Sequence, residues 1–384
     1  MSRLRILHLI TGLETGGAQT SLCNLVSAMA PDRFENVVVS MTTVGHVGQQ
    51  LQERGFDVHA LGMRRGVPDP RGLFRLRRLI SEVAPDVLQS WLYHADLLAT
   101  LAAKTMRFRP FAWNIRCSAM QMHAYGILSG LTLRALVRLS HLPDVVVVNS
   151  RAGRAAHESL GFHPLRWELI PNGIDPERFK PDAAARAEIR RELRLNDDAL
   201  LVGIVARYDP MKDYATFIAA AAEISKTCDV HFVMAGSGVR PDNAALRAAI
   251  GAAGLEARAH LLGCRTDIPR VLAALDLACS TSSFGEGFPN AIAEAMACAV
   301  PCVVTDVGDS AWLLGTAGLV VAAKDPIAFA SAANQLIESG RERRQKTGEA
   351  GRRRIVEHFN LPGTVRHYEE LYASMTLQRI VAPI

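Results

Sequence analysis

Short apolar runs of strand length alternate with helix-length segments along almost the whole chain, and this alternation limits the possible folds more than any other feature. Near-continuous apolar strands that alternate with helices are typical of a parallel sheet covered by helices on both faces. Ligands of such sheets bind beyond the carboxyl ends of the strands. The strand-like runs of the first half are Arg5–Ile10, Val37–Met41, Asp57–Leu61, Asp86–Ser90, Phe111–Ile115 and Asp144–Val148.

The same alternation returns in the second half of the chain. At 384 residues the chain is too long for one ordinary core. We therefore predict an α/β protein with two doubly wound parallel-sheet domains. The strand-like runs of the second half are Leu200–Ala206, Val230–Ala235, Ala259–Leu262, Asp276–Cys279, Cys302–Thr305 and Gly318–Val321.

Cysteine usage and hydropathy restrict the class of protein. The seven cysteines are odd in number and scattered, and none forms a Cys-x-x-Cys pair. This pattern favours a reducing cytosol and no structural zinc. No apolar run reaches about 18 residues, so we expect no transmembrane helix. The segment Ser2–Ile10 is too short for a secretion signal and resembles a first strand. A cytoplasmic location is the expectation.

The positive charge is concentrated in the first half. Residues 1–180 contain 21 Lys and Arg against 14 Asp and Glu, whereas residues 181–384 contain 22 against 24. An anionic membrane surface or a lipid-phosphate acceptor fits this asymmetry, and we expect no nucleic-acid partner because no basic motif interleaved with aromatic residues occurs. The segment Arg71–Ile80 is amphipathic, which suits either a membrane-surface helix or a solvated surface helix.

Two carboxylates frame a predicted helix N-terminus in the second half. Glu286 lies in a Gly-containing loop after an apolar strand, Pro289 suits the first turn of a helix, and Glu294 lies within that helix. The unpaired N–H groups at such an N-terminus attract an anion. Carboxylates repel phosphate, so these two would meet hydroxyl groups of a ribose or a hexose. The alternative is an N-cap acid followed by one solvated helix glutamate.

The surrounding residues, EGFPNAIAEAMACAVPCVVTD, resemble the signature of the retaining GT-B glycosyltransferases, specifically glycosyltransferase family 4. The resemblance implies transfer of a hexosyl unit from a nucleotide diphosphate sugar, with the two domains enclosing a cleft. It implies that Glu286 contacts the transferred sugar and that Glu294 binds the nucleotide ribose. The diphosphate would meet the backbone between them, at Gly287, Phe288 and Asn290.

Two cations follow the first strand of the second half. Arg207 and Lys212 lie on one loop, where an Arg fork and a Lys point charge suit a diphosphate, although such loop residues are often only solvated. Their spacing is similar to the family's phosphate-binding Arg and Lys, which implies a catalytic role. No Asp-x-Asp sequence occurs, so we expect no bound metal and no cofactor other than the donor substrate.

Glycine loops follow two further strands of the second half. Gly236 and Gly238 follow one strand and are candidates for donor binding. Cys264 and Arg265 follow Gly263 at the end of the next strand. In the family the backbone at this place reads the nucleotide base, so the resemblance assigns that role to Cys264 and Arg265.

The first loop of the chain also contains a glycine pair. Gly16 and Gly17 lead into a helix without forming a G-x-G-x-x-G motif or a P-loop, which weakens nicotinamide and ATP-hydrolysis hypotheses. Their backbone could present N–H groups to a phosphate, or the pair could simply form a tight strand–helix turn. The family carries a Gly-Gly near the donor phosphates at this place.

Two further candidates lie at strand ends in the first half. His94, with Trp91, Tyr93 and Asp96 beside it, is an acceptor-side candidate, although a lone His is often structural. Arg116 lies where many family members have a His close to the reacting sugar. This departure puts the family's histidine role in doubt, and Arg116 could instead bind an anionic acceptor or the donor phosphate.

The resemblance covers nearly the whole chain and implies its domain limits. Residues 1–172 would form the acceptor-side domain and residues 173–361 the nucleotide-sugar domain. Residues 362–384 would form a helix that returns to the first domain. The acceptor would be a glycan or a lipid-linked glycan at the inner face of the membrane. Two rival functions stay open, a nucleotide-sugar epimerase of the same fold and a non-catalytic nucleotide-sugar-binding protein.

Overall fold

The chain divides into two units. Unit 1 comprises Met1–Gly173 and Leu361–Ile384, and unit 2 comprises Ile174–Asn360. The computed structural model describes residues 3–14, 16–64, 66–67, 69–118, 127–196 and 198–381. Each unit has its own parallel sheet with helices on both faces, so the predicted fold class is confirmed.

Unit 1 is built on a seven-stranded sheet. Its strands are β1 (Leu4–Ile10), β2 (Phe34–Ser40), β3 (Asp57–Ala60), β4 (Val87–Trp91), β5 (Phe111–Ile115), β6 (Val145–Val148) and β7 (Trp167–Leu169). Its helices are α1 (Gly17–Ala28), α2 (Gly45–Glu53), α3 (Pro70–Val83), α4 (Tyr93–Met106), α5 (Ile127–Leu139), α6 (Arg151–Ser159) and α15 (Leu361–Val381). The strand order is β3-β2-β1-β4-β5-β6-β7. Each predicted strand overlaps an observed one; the three-residue β7 is too short to predict from its pattern.

Helices cover both faces of this sheet because its strands are apolar on both sides. On one face, Leu76 of α3, Ala99 of α4 and Leu136 of α5 pack into one buried cluster. On the other, Leu22 of α1 packs in a cluster that also contains Tyr372 of α15. The C-terminal helix is therefore part of the core of unit 1.

Unit 2 is built on a six-stranded sheet. Its strands are β8 (Leu200–Val205), β9 (Val230–Ala235), β10 (Ala259–Leu261), β11 (Leu277–Ser280), β12 (Cys302–Thr305) and β13 (Gly318–Val321). Its helices are α7 (Ala183–Glu192), α8 (Tyr214–Ile224), α9 (Ala244–Ala252), α10 (Ile268–Ala274), α11 (Asn290–Ala297), α12 (Ser310–Leu314), α13 (Pro326–Glu338) and α14 (Gly340–His358). The order β10-β9-β8-β11-β12-β13 contains all six predicted strands.

In both sheets the chain adds strands first toward one edge and then, from a central strand, toward the other edge; we call this point the strand-order reversal. It lies between β1 and β4 in unit 1 and between β8 and β11 in unit 2. The loops that leave the carboxyl ends of these strands run to opposite faces and open a crevice, which is the usual ligand position in such sheets.

The last helix begins slightly earlier than the sequence pattern indicates. From the sequence we predict that Phe359–Pro362 breaks one helix and that helical spacing resumes at Val365. In the structure α15 begins at Leu361, and Pro362 lies in its first turn, where a missing N–H leaves no intrahelical hydrogen bond unmade. Among the described residues, every helix is too short or too polar to span a membrane.

Candidate functional site

Oppositely charged side chains meet at the strand-order reversal of unit 2. Lys212 ends a short 3-10 helix (Pro210–Lys212) in the loop after β8, and Glu286 lies in the loop after β11. Lys212 Nζ donates a hydrogen bond to Glu286 Oε2 at 2.5 Å. The side chains are only 19% and 8% exposed, respectively. The pair therefore forms a largely desolvated charged centre at the expected ligand position.

The surroundings keep Glu286 ionised. Burial alone raises the pKa of this carboxyl, but the Lys212 charge and hydrogen bonds from Lys212 and Ser282 outweigh burial, so its pKa lies below the ordinary value. Ser282 Oγ donates to Glu286 Oε2 at 2.9 Å. An ionised carboxylate only accepts hydrogen bonds, so Glu286 suits hydroxyl donors such as those of a sugar.

Direct hydrogen bonds join the loops after β8 and β11. Thr281 Oγ1 donates to the carbonyls of Lys212 at 2.9 Å and Asp213 at 3.1 Å. The Ser283 N–H donates to the Met211 carbonyl at 2.9 Å. These bonds set the spacing of Lys212 and Glu286 without using either charged side chain.

A glycine after β12 supports the Glu286 loop from the other side. Gly308 has φ +63°, and a Cβ built on it would lie 2.0 Å from the Glu286 carbonyl oxygen. The Asp309 N–H donates to the Gly287 carbonyl at 3.0 Å. Sequence reasoning missed Gly308 and Ser282. The available signals were a glycine three residues after a buried strand and a run of hydroxyl residues beside the signature.

Arg207 lies on the same loop as Lys212 but is more open to solvent. Its Nε donates to Asp209 Oδ2 at 3.0 Å, and its side chain is 50% exposed. Its charge contributes to the low pKa of Glu286, which places the two within electrostatic reach. Gly236, after β9, has φ +147°, and a Cβ there would lie 2.0 Å from the Ala206 carbonyl oxygen. A side chain at Gly236 would therefore displace the loop that carries Arg207.

Helix α11 begins beside these loops without a side-chain cap. Pro289 occupies its N-cap position and makes no side-chain capping hydrogen bond. Such an N-terminus carries partial positive charge. Phe288 is only 4% exposed and its ring packs on Phe359 with ring centroids 5.5 Å apart, so this ring is part of the core of unit 2. The backbone of Gly287 and Asn290 continues this segment on either side.

Glu294 follows Asn290 by about one helical turn. Burial raises its pKa to about 7, and the charge of Arg178 opposes this shift only in part. A carboxyl with this pKa is poised between its neutral and ionised forms at neutral pH.

The loops after β9 and β10 are also adjacent. The Gly236 N–H donates to the Gly263 carbonyl at 2.8 Å. Cys264 is exposed, and the Arg265 side chain binds Asp267 at 2.7 Å and Glu192 at 2.5 Å. These ion pairs occupy the guanidinium of Arg265, so the groups left for contact with a nucleotide base are those of the backbone. Gly238, with φ +77°, ends the neighbouring turn.

The remaining candidates lie in unit 1. Gly17 begins α1 directly after the β1 loop, no side chain caps this helix, and Gly16 occupies its N-cap position. His94 is exposed in the first turn of α4, after β4. Trp91 and Asp96, its neighbours in sequence, are fully buried, so they do not share its exposed surface.

Arg116, directly after β5, is surrounded by neutral groups. Its guanidinium lies 5.1 Å from the Trp91 ring centroid and donates to Asn114 Oδ1 at 3.5 Å and to Asn172 Oδ1. The structure thus brings Arg207, Lys212, Glu286 and the α11 N-terminus together in unit 2, while Gly16, Gly17, His94 and Arg116 lie in unit 1. Within the described ranges, no group of three or more His, Cys, Asp or Glu side chains could hold a metal ion.

Comparison with known protein families gives two matches that together cover most of the chain. Residues 15–178 match the model described as Glycosyltransferase Family 4, and residues 199–339 match that described as Glycosyl transferases group 1.

Characterised relatives extend over about four-fifths of the chain. The UDP-Gal:alpha-D-GlcNAc-diphosphoundecaprenol alpha-1,3-galactosyltransferase of Escherichia coli is 24% identical over 329 residues, 82% of this chain and 81% of that one. The GDP-mannose-dependent alpha-(1-6)-phosphatidylinositol monomannoside mannosyltransferase of Mycobacterium tuberculosis is 29% identical over 309 residues, 76% of this chain and 77% of that one.

A solved structure shows the same fold over almost the whole length. Anabaena Alr3699/HepE in complex with UDP superposes with a TM-score of 0.84 and 24% identity, and covers 97% of this chain and 100% of that one. The sheet orders, the family matches and this superposition agree. The chain therefore belongs to the group 1 glycosyltransferases and has their GT-B fold.

Proposed function

We propose that this protein is a retaining hexosyltransferase that transfers a sugar from a nucleotide diphosphate donor to a glycan or lipid-linked acceptor in cell-surface polysaccharide synthesis. The observation that carries the proposal is the desolvated Lys212–Glu286 pair at the strand-order reversal of unit 2, beside the uncapped N-terminus of α11. A sugar diphosphate requires a cation and an anion-binding helix N-terminus for its phosphates. It also requires a carboxylate that accepts hydrogen bonds from its sugar hydroxyls.

Each of these groups has a role in the proposed reaction. Lys212, Arg207 and the N-terminus of α11 offset the charge that develops on the departing diphosphate, without a metal ion. Glu286 accepts hydrogen bonds from hydroxyls of the transferred sugar. Because Lys212 already donates to Glu286, one lysine aligns the carboxylate and adds positive charge beside the phosphates.

Retention follows from the family resemblance. The acceptor hydroxyl oxygen bonds to the anomeric carbon on the face from which the diphosphate departs. The bond from that carbon to the phosphate oxygen breaks, and the hydroxyl proton passes to the departing phosphate oxygen. The step needs no protein nucleophile, so Glu286 acts as a hydrogen-bond acceptor and a fixed charge.

Two carboxylates divide donor recognition in this proposal. Glu294 binds the ribose, and the backbone at Cys264 and Arg265 contacts the base. The names of the two relatives contain UDP-Gal and GDP-mannose, and Alr3699/HepE was also solved with UDP-glucose, so the base of the donor is a matter for experiment. A thermal-shift panel of UDP-, GDP- and ADP-sugars identifies it, because a ligand at 100 times its dissociation constant adds about 2.7 kcal/mol.

The decisive test separates the roles of the two carboxylates. In calorimetry with free nucleotide diphosphate, Glu294→Ala should weaken nucleotide binding, whereas Glu286→Ala should leave it nearly intact. In an activity assay with the nucleotide sugar, Glu286→Ala should lower turnover. Equal losses of nucleotide binding in both variants reject this division. Product analysis without an acceptor distinguishes transfer from epimerisation, and a complete absence of donor turnover with acceptor present would favour a non-catalytic binding protein.

The surface of unit 1 supports a lipid-linked acceptor at the cytoplasmic face of a membrane. The names of both relatives include an acceptor with a lipid part. On α5, Leu128 and Leu131 are 43% and 52% exposed beside the exposed Arg134 and Arg138. Helix α5 contains no acidic residue, and the one acid of α4, Asp96, is buried. Exposed apolar side chains interspersed with basic ones suit an anionic lipid surface.

Two arginines of the amphipathic segment Arg71–Ile80 have partners within unit 1. Arg75 donates to the Leu61 carbonyl, and Arg78 binds Glu82 at 2.6 Å. Phe74, on the same helix, is 66% exposed. Helix α3 therefore adds exposed apolar surface, while two of its arginines already bind a carbonyl and a carboxylate.

A further inference from the structure

Arg116 is a largely buried cation that no carboxylate among the described residues neutralises. Within the described residues it contacts the neutral groups Asn114, Asn172, Tyr368 and Trp91. Its Nε atom is buried and makes no hydrogen bond. Burial lowers the pKa of this guanidinium, yet arginine stays protonated in proteins.

Comparison with another arginine shows what is unusual here. Arg190 of unit 2 is 1% exposed, and it binds the Asp276 carboxylate at 2.8 Å. That is the common arrangement, because an unpaired buried charge is costly. The described part of the chain gives Arg116 no such counter-charge, so the folded protein carries an energetic cost that an anionic ligand would relieve.

The groups around Arg116 define a specific place on the sheet. Asn114 is in β5, Asn149 directly follows β6, and Asn172 lies shortly after β7, so all three occupy the carboxyl edge of the sheet. Asn149 Nδ2 donates to Asn172 Oδ1 at 3.4 Å, and Asn114 Nδ2 donates to the Tyr368 hydroxyl at 2.8 Å. These bonds order the amide and hydroxyl groups around the guanidinium. Parallel sheets bind their ligands at this edge.

We infer that Arg116 and its asparagine neighbours form a binding site for a singly charged oxyanion carried by the acceptor, either a sugar carboxylate or a phosphodiester. One guanidinium balances one negative charge, and its forked N–H groups match two oxygens of either anion. The donor diphosphate has its own cations in unit 2, at Lys212 and Arg207. The inference rests on the proposed function in one respect, namely that the ligand is the acceptor.

The first test measures binding of small oxyanions by saturation-transfer NMR. Sodium glucuronate and dimethyl phosphate represent the two sources, and glucose is the neutral control. Wild-type protein should bind one oxyanion at least tenfold more tightly than glucose, and the oxyanion bound identifies the chemistry of the acceptor. Binding of neither would overturn the inference, as would equal binding by wild type and Arg116→Met.

The second test measures stability without ligand, using a matched control at the other end of β5. Arg109, which precedes β5, binds Asp144 at 2.8 Å. Arg116→Met removes an unneutralised cation, so its melting temperature should equal or exceed that of wild type. Arg109→Met breaks an ion pair, so it should melt lower and keep oxyanion binding. A lower melting temperature for Arg116→Met than for Arg109→Met would show that Arg116 is structural and reject the site.

Two further measurements complete the design. If Arg116→Met does not fold, Arg116→Lys tests the site instead. This variant keeps the positive charge and should therefore still bind the oxyanion more tightly than glucose. Loss of that preference in a folded Arg116→Lys protein would contradict the site. Calorimetry of UDP and GDP on wild type tests the proposed function separately. If no nucleotide binds, the proposed function fails while the oxyanion measurement still reports on Arg116.

Discussion

Lys212 and Arg207 lie on one loop, but their environments differ, so their substitutions should differ in kind. Lys212 neutralises a buried carboxylate, whereas Arg207 is half exposed and bound to Asp209. Breaking a buried ion pair by removing one partner costs on the order of 3–5 kcal/mol, because the other charge stays buried. Exposed ion pairs contribute much less.

The first prediction separates catalysis from stability at this loop. Arg207→Ala should lower kcat/KM by an amount equivalent to roughly 2–4 kcal/mol with little change in melting temperature. Lys212→Met should lower both. Adding Glu286→Gln to Lys212→Met should recover stability and leave turnover low, because the unpaired carboxylate is then gone. Kinetics and thermal melts on the four proteins check this, and full activity in Arg207→Ala and Lys212→Met alike would refute the phosphate assignment.

The second prediction concerns the pKa of Glu294, which burial raises to about 7. Ribose hydroxyls donate hydrogen bonds, so the ionised carboxylate is the better acceptor. As pH rises through 7 the folded protein loses this proton, and nucleotide affinity should increase, by about tenfold between pH 6 and pH 8 if only the ionised form binds. Glu294→Gln does not titrate and should flatten the profile. Calorimetry across this range is the measurement, and an unchanged slope in the variant would contradict the role of Glu294.

At the scale of elements, the outer surface of α4 and α5 combines exposed apolar and basic groups. Leu101 of α4 is 41% exposed, and Lys104 follows it by three residues on the same helix. On α5, Leu128 and Leu131 precede Arg134 at helical spacing. Both helices use their other faces to fill the core of unit 1. The exposed side chains are therefore available for a lipid surface.

The third prediction tests this surface. Anionic lipids attract each nearby basic residue by about 1 kcal/mol, so Arg134→Gln with Arg138→Gln should weaken binding to phosphatidylserine vesicles about thirtyfold at low salt. Added salt should weaken wild-type binding as well, since the Debye length is about 8 Å at physiological ionic strength. Arg341→Gln with Arg343→Gln, on the exposed basic helix α14, is the control of equal charge. Equal losses in both double variants would indicate unspecific attraction, and no vesicle binding by wild type would remove the membrane proposal.

At the scale of the whole molecule, the last helix stabilises the unit that contains the start of the chain. Tyr368, Leu371 and Tyr372 of α15 are each no more than 2% exposed and lie in the same cluster as Ile6 and Leu22. The two units have separate clusters, so a substitution in one core should act mainly on that unit.

The fourth prediction uses this separation. Tyr372→Ala should destabilise unit 1 by roughly 3–5 kcal/mol, although it lies at the C-terminal end of the chain. Phe329→Ala, which removes a core ring of α13, should destabilise unit 2 instead. Three of the four tryptophans, Trp91, Trp113 and Trp167, are in unit 1, so fluorescence reports mainly on that unit. A lower fluorescence midpoint for Phe329→Ala than for Tyr372→Ala would contradict the assignment.

Local pattern was sufficient to predict the fold class, because periodic hydrophobicity and strand length are properties of neighbouring residues. Twelve of the thirteen strands in the described part of the chain are predicted by their apolar runs. Strand β7 is missed because three partly buried residues are too few to show a hydrophobic period. The signature at Glu286 and Glu294 likewise depends only on sequence spacing, and it led to the family that the comparisons show.

Tertiary structure alone decided which side chains meet and which are desolvated. Lys212 and Glu286 are 74 residues apart, and only the strand order, which places β8 beside β11, brings their loops together. The same holds for Arg116, because the absence of a counter-charge depends on what β6, β7 and α15 place around it. Burial and long-range pairing set charge energetics, and both are properties of the packed chain rather than of neighbouring residues.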